Sequence, residues 1–422
     1  MQYKKITLPN GLRIIYVPVK GNPSVTVMAL VETGSNYESK EENGLSHFLE
    51  HMVFKGTTNR PKSSDITREL DGLGAQSNAF TGNEMTGYYA KAEKKHFKKL
   101  LEIIADLYLN PTLPKEELEK ERGVILQEIS MYEDLPQRKV WNVFAELLYG
   151  DTPAGRTILG PEKNIKKFKR EDFEAYRAKH YTAKKTLVVV AGDVKESDLV
   201  KEVEKHFKDI RDAKKLGKEK VSSLQDSPQL KVFKKKTDQT HLILGFKTKP
   251  KSEKERAVLE LLAGVLGKGM SSRLFERLRE KMGVCYYVRA SDNEHTDHGY
   301  FAISTGIDGK RVEEVVSALL EECKKLTTET VTELELNKVK DYLVGNMYMG
   351  LETTDSLVEF YADQEITREK LFEPKYFEES LRKISGKDVL KVAQELFKKE
   401  RLNLAVVGEM KNPSRLKKLL VL

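Results

Sequence analysis

The stretch HFLEHMVFKGT contains two histidines four residues apart, His47 and His51, with Glu50 directly before the second. On a helix, side chains four positions apart project together from one face. Two imidazoles in that arrangement can bind Zn²⁺, and a carboxylate beside the metal can take a proton from a water molecule. The H-x-x-E-H spacing therefore indicates a hydrolytic metal centre rather than two histidines that only pack or face solvent.

Such a centre needs more ligands than this motif supplies. Zinc in a catalytic site is typically held by three protein side chains and one water molecule. The motif offers two ligands, so a carboxylate, cysteine or histidine from another ordered element has to provide the third. The ligand types favour zinc, although cobalt or manganese could support activity in vitro.

The same segment resembles the active site of the inverzincin zinc metallopeptidases, the pitrilysin and insulinase family that includes the mitochondrial processing peptidases. In this family a glutamate on a downstream helix is the third zinc ligand, and another glutamate lies seven residues before it. The segment ELEKERGVILQEISMYE has this spacing at Glu121 and Glu128. The resemblance implies that His47, His51 and Glu128 bind one Zn²⁺ per chain. It also implies that Glu121 orients the ligands and that Glu50 is the general base.

A second segment, NAFT, resembles the edge strand that binds substrate in this family. Such a strand holds a peptide extended through main-chain hydrogen bonds, which tolerate many different side chains. The resemblance implies this substrate-binding role for Asn78, Ala79 and Phe80.

A third segment, GVLGKGMSSRLFERLREKMGVCYYVRA, resembles the family's glycine-rich loop and following helix. There the family carries an arginine and a tyrosine, seven residues apart, that reach toward the scissile peptide. Arg279 and Tyr286 have this spacing, and Arg277 and Tyr287 are adjacent alternatives. A fixed cation and a phenol O–H are suited to binding the substrate carbonyl as negative charge develops on its oxygen.

The resemblance extends to assembly and function. Large members of the family enclose a chamber with four domains, whereas this chain has two and resembles the short bacterial members, which dimerise. It implies a homodimer in which Arg279 and Tyr286 act on the zinc site of the other subunit. The implied function is a zinc-dependent endopeptidase that hydrolyses peptides or unfolded polypeptide segments inside the chamber. Two alternatives stay open: a non-catalytic scaffold subunit of the same fold, and a peptide-binding module with structural zinc.

The elements that must position these residues are both helical and extended. The motif segment has a helical apolar face at Leu45, Leu49, Met52 and Val53, whereas SVTVMALVETGS alternates like a half-buried strand. Strands mixed with helices, without regular βαβ alternation, are typical of α+β proteins. We therefore expect mixed, mostly antiparallel sheets with helices packed on one face of each.

Repeated segments indicate a duplicated fold. GYYAKA at Gly87–Ala92 recurs as GYFAIS at Gly299–Ser304, and TLVVVAGDV at Thr186–Val194 recurs as NLAVVGEM at Asn403–Met410. The polar stretch between the two halves, from about Arg211 to Gln229, lacks periodic apolar positions. We expect two homologous tandem domains: an N-terminal catalytic, zinc-binding domain at 1–210, a linker at 211–229, and a C-terminal domain at 230–422 that carries the Arg/Tyr motif.

Composition excludes several classes of protein. The 422 residues carry a formal net charge of +8, but the basic residues are interspersed with acidic ones, unlike a nucleic-acid footprint. The longest apolar runs have the length of strands and are too short to span a membrane. No export signal is evident and there are two cysteines, Cys285 and Cys323, so we expect a reduced, cytoplasmic protein. The expected partners are peptide substrates and a second copy of the chain, without nucleic acid or membrane.

Overall fold

The computed structural model describes residues 2–222, 224–410 and 413–422. Ser223, which falls within the predicted linker, lies outside the described residues. The chain divides into two compact units, and neither is one continuous stretch. The first unit comprises Met1–Ile129, Arg156–Glu219 and Met349–Glu373, and the second comprises Ser130–Gly155, Lys220–Tyr348 and Pro374–Leu422.

Strands and helices alternate irregularly along the chain. The strands are β1 (Lys4–Thr7), β2 (Arg13–Pro18), β3 (Ser24–Val31), β4 (Gln76–Thr81), β5 (Thr86–Glu93), β6 (Thr186–Gly192), β7 (Gln229–Phe233), β8 (Thr240–Thr248), β9 (Cys285–Glu294), β10 (Gly299–Ile307) and β11 (Leu402–Val407). The helices are α1 (Leu45–Val53), α2 (Ser63–Gly72), α3 (Phe97–Leu109), α4 (Lys115–Asp134), α5 (Pro136–Tyr149), α6 (Glu162–Ile165), α7 (Arg170–His180), α8 (Glu196–Phe207), α9 (Glu253–Gly267), α10 (Val312–Thr328), α11 (Glu333–Gly350), α12 (Thr354–Thr367), α13 (Pro374–Arg382), α14 (Gly386–Leu396) and α15 (Pro413–Leu419).

The first unit is built on a mixed sheet. Among the described residues its strand order is β1-β2-β6-β3-β5-β4, in which β2 and β6 are parallel and the other neighbours antiparallel. One face packs against α1, α3, α7 and α8 in a continuous apolar core. Because β4 pairs with β5 alone, it forms a free edge of this sheet beside α1.

The opposite face of the first sheet is covered by α12, a helix from late in the chain. The hydroxyl groups of Thr26 and Thr354 lie 2.8 Å apart, and Lys91 donates a hydrogen bond to Asp355 at 2.7 Å. As a result β3 is buried along nearly its whole length. The expectation that β3 is half-buried was wrong, because its alternating pattern could not reveal a helix on the second face.

The second unit repeats this architecture. Within the described part of the chain its strand order is β7-β11-β8-β10-β9, with β7 and β11 parallel. This matches β2-β6-β3-β5-β4 strand for strand, and confirms the predicted duplication. Helix α5, from early in the chain, packs on one sheet face through Val140, Val143 and Phe144. Gly245 admits the Phe144 ring, since a Cβ at Gly245 would lie 2.3 Å from it.

The predicted α+β class with mixed, mostly antiparallel sheets is confirmed. The exchanged helices α5 and α12 add a layer that the expectation of helices on one face omitted. They also make both compact units discontinuous, unlike the tandem boundaries at 1–210, 211–229 and 230–422, which stay a prediction. Between Phe207 and Gln229 the described residues form neither helix nor strand.

Candidate metal centre

Helix α1 carries the two motif histidines and is anchored by its apolar face. Leu45, Leu49, Met52 and Val53 are all buried, as their spacing predicted. On the other face the rings of the two histidines lie with centroids 4.7 Å apart. The helical spacing therefore brings both imidazoles to one place.

A buried glutamate, Glu38, holds the start of α1. Its carboxylate accepts hydrogen bonds from the backbone N–H of Ser46 at 2.7 Å, the backbone N–H of Gly44 at 2.9 Å and the Asn43 amide at 3.0 Å. Burial raises the pKa of the Glu38 carboxyl, and these hydrogen bonds oppose the rise. A carboxylate at a helix N-terminus satisfies its open N–H groups. The sequence prediction did not include Glu38, because it precedes α1 by several positions and no local spacing connects it to the helix.

The third ligand of the predicted centre lies on α4. An oxygen of Glu128 is 3.5 Å from Nε2 of His47 and 3.7 Å from Nε2 of His51. These three residues offer ligand atoms that all lie within 4.8 Å of one another. The structure thus brings together side chains that are far apart in sequence.

The donor set fits Zn²⁺. In a tetrahedral shell with bonds of about 2.05 Å, neighbouring ligand atoms lie about 3.4 Å apart, close to the separations from Glu128. Burial, followed by the proximity of His51, lowers the pKa of His47 to about 3. A neutral imidazole is the form that binds a metal.

The two histidines differ in their outer contacts. Nδ1 of His51 lies 3.0 Å from Glu121, and the other oxygen of Glu121 pairs with Lys55. Among the described residues, the buried Nδ1 of His47 has no hydrogen-bond partner. Glu121 lies where the resemblance placed it, and Lys55 extends the same chain of contacts. The sequence prediction omitted Lys55, which lies in the turn that follows α1.

Glu50 lies beside this cluster and opens to the cleft. Thr81, the last residue of β4, donates a hydrogen bond to its carboxylate at 2.5 Å. Burial raises the pKa of Glu50, while the Thr81 hydrogen bond lowers it. A carboxyl whose pKa is raised accepts protons more readily near neutral pH. Strand alternation places Thr81 on the face opposite Phe80, so the NAFT segment itself contained the signal for this contact.

A cleft of about 410 Å³ joins the metal-ligand cluster to the edge strand. Its helical wall includes Glu50, His51, Lys55 and Glu121, and its strand wall consists of Ser77, Asn78 and Ala79. Phe80 does not line this cleft. Its ring covers Gly87 on the other face, where an added Cβ would lie 2.6 Å from it. The predicted binding strand therefore borders the cleft through Asn78 and Ala79.

The predicted Arg/Tyr pair lies in the second unit, at a π-helix, Phe275–Lys281, and the start of β9. Arg279 donates to the Cys285 carbonyl at 3.0 Å, and its guanidinium lies 5.0 Å from the ring centroid of Tyr286. Tyr286 is 74% exposed. A π-helix is rare and often marks a functional position.

The alternative candidates are committed to other contacts. Arg277 pairs with Glu321 and Glu322, and the Tyr287 hydroxyl lies 3.0 Å from Nδ1 of His241. These contacts favour Arg279 and Tyr286 as the pair that is available to a ligand.

The chain belongs to peptidase family M16. Residues 13–162 match the model of Insulinase (Peptidase family M16), and residues 167–343 match that of the Peptidase M16 inactive domain. The H-x-x-E-H motif and Glu128 both fall within the first match. The predicted family is thereby confirmed.

Relatives and solved structures agree with this assignment. A Rickettsia felis protein named uncharacterized zinc protease is 35% identical over 92% of this chain and 94% of its own length. The Bacillus subtilis protein named uncharacterized zinc protease YmxG is 35% identical over 84% of this chain and 85% of its own. The crystal structure of a Helicobacter pylori protease has a TM-score of 0.89 and 24% identity, and covers 96% of this chain and 99% of that chain. This last likeness concerns the fold.

The helices of the described chain do not meet the requirements of a bilayer span. None of them combines the length and the apolar character needed to cross a membrane.

Proposed function

We propose that this protein is a zinc-dependent endopeptidase that hydrolyses peptides or unfolded polypeptide segments. The observation that carries this proposal is the convergence of His47, His51 and Glu128 beside an open edge strand. The names of the relatives as zinc proteases support it. A structural zinc is usually closed by four protein ligands, whereas three donor residues converge here among the described residues.

A bound Zn²⁺ would supply a Lewis acid that lowers the pKa of water and polarises the substrate carbonyl. Glu50 takes a proton from the attacking water and delivers it to the amine nitrogen that leaves. The Thr81 hydroxyl fixes one oxygen of Glu50, which orients the carboxylate for this transfer. Glu121 holds the His51 ring in a fixed orientation through Nδ1.

The substrate is held by β4, to which it adds as an extended strand. The outer edge of β4 presents main-chain groups that no other described strand pairs. Asn78 and Ala79 lie at the cleft, so a strand paired there would pass close to Glu50. This mode of binding uses main-chain hydrogen bonds of the substrate, so the substrate segment has to be unfolded.

We further propose that the protein works as a homodimer enclosing a chamber, in which Arg279 and Tyr286 of the partner subunit bind the substrate carbonyl. The support is the resemblance to short members of the family and the exposure of Tyr286 beside Arg279. A cation and a phenol stabilise an oxyanion most effectively when they are fixed in advance. The contact of Arg279 with the Cys285 carbonyl provides such fixation.

The proposal is tested by cleavage of an internally quenched peptide library by wild-type protein and Glu50→Gln, with zinc quantified in both. We expect both proteins to hold about one zinc per chain and the variant to lose about 10²–10⁴-fold in kcat. Glu133→Gln on α4 is the control, since Glu133 pairs with Lys139 and its side chain is 43% exposed. Zinc without cleavage in the wild type would favour the scaffold alternative, and equal rates would remove Glu50 as the base.

A further inference from the structure

The edge strand β4 has a second hollow on the face away from the metal cluster. This pocket, of about 350 Å³, is lined by residues of β4, of β5 and of α12. We call it the far-side pocket, and its principal lining residues are Phe80, Met85, Tyr89, Glu359, Ala362 and Asp363. The strand residues Asn78 and Ala79 also border it, but the proposed function assigns no substrate group to this pocket.

The two faces of β4 separate the two hollows. Thr81 points to the metal-cluster face, where it donates to Glu50. Phe80 points the other way, with its ring over Gly87. Side chains of a strand alternate between faces, and the same alternation applies to any strand that pairs with β4. Consecutive side chains of a bound peptide would therefore enter the metal cleft and the far-side pocket in turn.

The far-side pocket combines an apolar floor with carboxylates. Phe80, Met85 and Ala362 supply apolar surface, and Glu359 and Asp363 come from successive turns of α12. A lysine or arginine side chain has the matching form, an apolar stem with a cationic end. The Tyr89 ring adds a face on which a cation can rest.

Glu359 has a negative charge that no cationic side chain of the described residues neutralises. Lys91, on the neighbouring strand, pairs with Asp355 at 2.7 Å. No cationic side chain of the described residues pairs with Glu359, and burial followed by the proximity of Asp355 raises its pKa. The proximity of Glu359 also contributes to the raised pKa of Tyr89. A cation in the pocket would relieve this uncompensated negative charge.

We propose that the far-side pocket binds a lysine or arginine side chain of the substrate, at a position one residue away from a side chain that faces the metal cleft. This inference rests on the proposed endopeptidase function and gives it a substrate class. The enzyme then prefers extended peptides that carry a basic residue at this position near the cleaved bond. Glu359 is the residue that determines this preference.

The test uses one quenched peptide scaffold with arginine, lysine, norleucine or glutamate placed singly at each position near the cleaved bond. For wild-type protein we expect kcat/KM at one position, or at alternate positions, to be about fivefold higher with arginine or lysine than with norleucine, as for a partly exposed ion pair. Glutamate at the same positions should be the poorest substrate. Glu359→Gln should bring the arginine-to-norleucine ratio close to one, and Glu359→Lys should favour glutamate.

Glu369→Gln is the matched control, because Glu369 is exposed just after α12 and does not line the pocket. It should keep the wild-type ratio, and thermal unfolding of every variant checks that the fold is retained. If the wild type cleaves no peptide, the proposed function fails. If the wild type cleaves but shows no charge preference, or Glu359→Gln keeps the full preference, the pocket assignment is overturned while the function stands.

Discussion

The two compact units share a strand order but carry different chemical groups. In the first, the helix after β3 is α1, with two histidines on one face. In the second, the helix after β8 is α9, whose sequence EKERAVLELLAGVLG has no histidine and is buried over its C-terminal half. The same scaffold supports a metal-ligand set in one copy and an apolar helix in the other. Function therefore lies in side chains placed on the fold and not in the fold itself.

Loss of the proposed third ligand should have the largest effect on the first unit. Glu128→Gln should abolish both zinc retention and turnover, because a metal left with two histidines is held too weakly. We expect losses beyond the about 10–100-fold that removal of an outer ligand contact causes. Zinc content and peptide cleavage are the measurements, with Glu133→Gln as the control. A variant that keeps its zinc would show that another residue completes the site.

In the proposed function, the second unit contributes Arg279 and Tyr286. Arg279→Ala should keep zinc and lower kcat by about 10²–10³-fold, the usual effect of losing an oxyanion donor. Tyr287→Phe is the control, because the Tyr287 hydroxyl is engaged with His241. A loss of zinc in Arg279→Ala would instead indicate a structural role.

Mixing Arg279→Ala with Glu50→Gln tests whether the groups act between subunits. In a randomly exchanged dimer, one intact site forms in half of the molecules, which restores about a quarter of wild-type activity. No restoration after verified subunit exchange would place Arg279 and the metal cluster in the same subunit.

The packing of the buried Arg60 in the first unit predicts an effect on stability. Arg60, 2% exposed, pairs with Asp106 at 2.6 Å and with Glu69 and Glu102. Arg60→Ala should lower the free energy of unfolding by about 3–5 kcal/mol, because it leaves a buried carboxylate uncompensated. Arg170→Ala, which removes the exposed pair with Glu174, should cost less than about 1 kcal/mol. Denaturant unfolding of both variants checks the difference, and equal effects would contradict it.

The smallest effect concerns a buried lysine in the first unit. Burial lowers the pKa of Lys185 to about 8, so the unfolded chain keeps this proton to a higher pH than the folded protein. Stability therefore rises with pH between about 8 and 10.5 and lacks this gain below 8. Lys185→Met should raise Tm more at pH 7 than at pH 10. Lys340 in the second unit serves as the comparison, because it is also a buried lysine but its Nζ donates hydrogen bonds to two backbone carbonyls. A Tm difference independent of pH would contradict the assignment.

Local spacing predicted the parts of this site that lie on one element. His47, Glu50 and His51 follow from helical periodicity, and the buried face of α1 follows from the same pattern. The approach of Glu128 did not follow from spacing, because it depends on how α4 packs against α1. Only the resemblance to the family placed it. Strand alternation could have pointed to Thr81, and the four-residue spacing from His51 could have pointed to Lys55. Their partners, Glu50 and Glu121, could be known only from the fold.

The packing positions of the exchanged helices α5 and α12 are the part of the fold that the sequence could not predict. The amphipathic pattern of α5 predicts that it buries one face, but it does not say which sheet receives that face. The pattern of α12 is weakly amphipathic and gives no such signal. Helix α5 comes from the N-terminal half of the sequence but packs on the sheet of the second unit, and α12 comes from the C-terminal half but packs on the sheet of the first unit. Boundaries drawn from composition therefore differ from the compact units. The burial of β3 on both faces and the wall of the far-side pocket both result from this exchange.

Anomalous diffraction at the zinc absorption edge, measured on crystals of the Glu50→Gln protein, shows whether zinc binds to the first unit alone. We expect one anomalous peak per chain, within about 2.0–2.2 Å of the ligand atoms of His47, His51 and Glu128. A dominant peak at the stacked His295 and His298 of the second unit, or no peak in zinc-replete crystals, would contradict it.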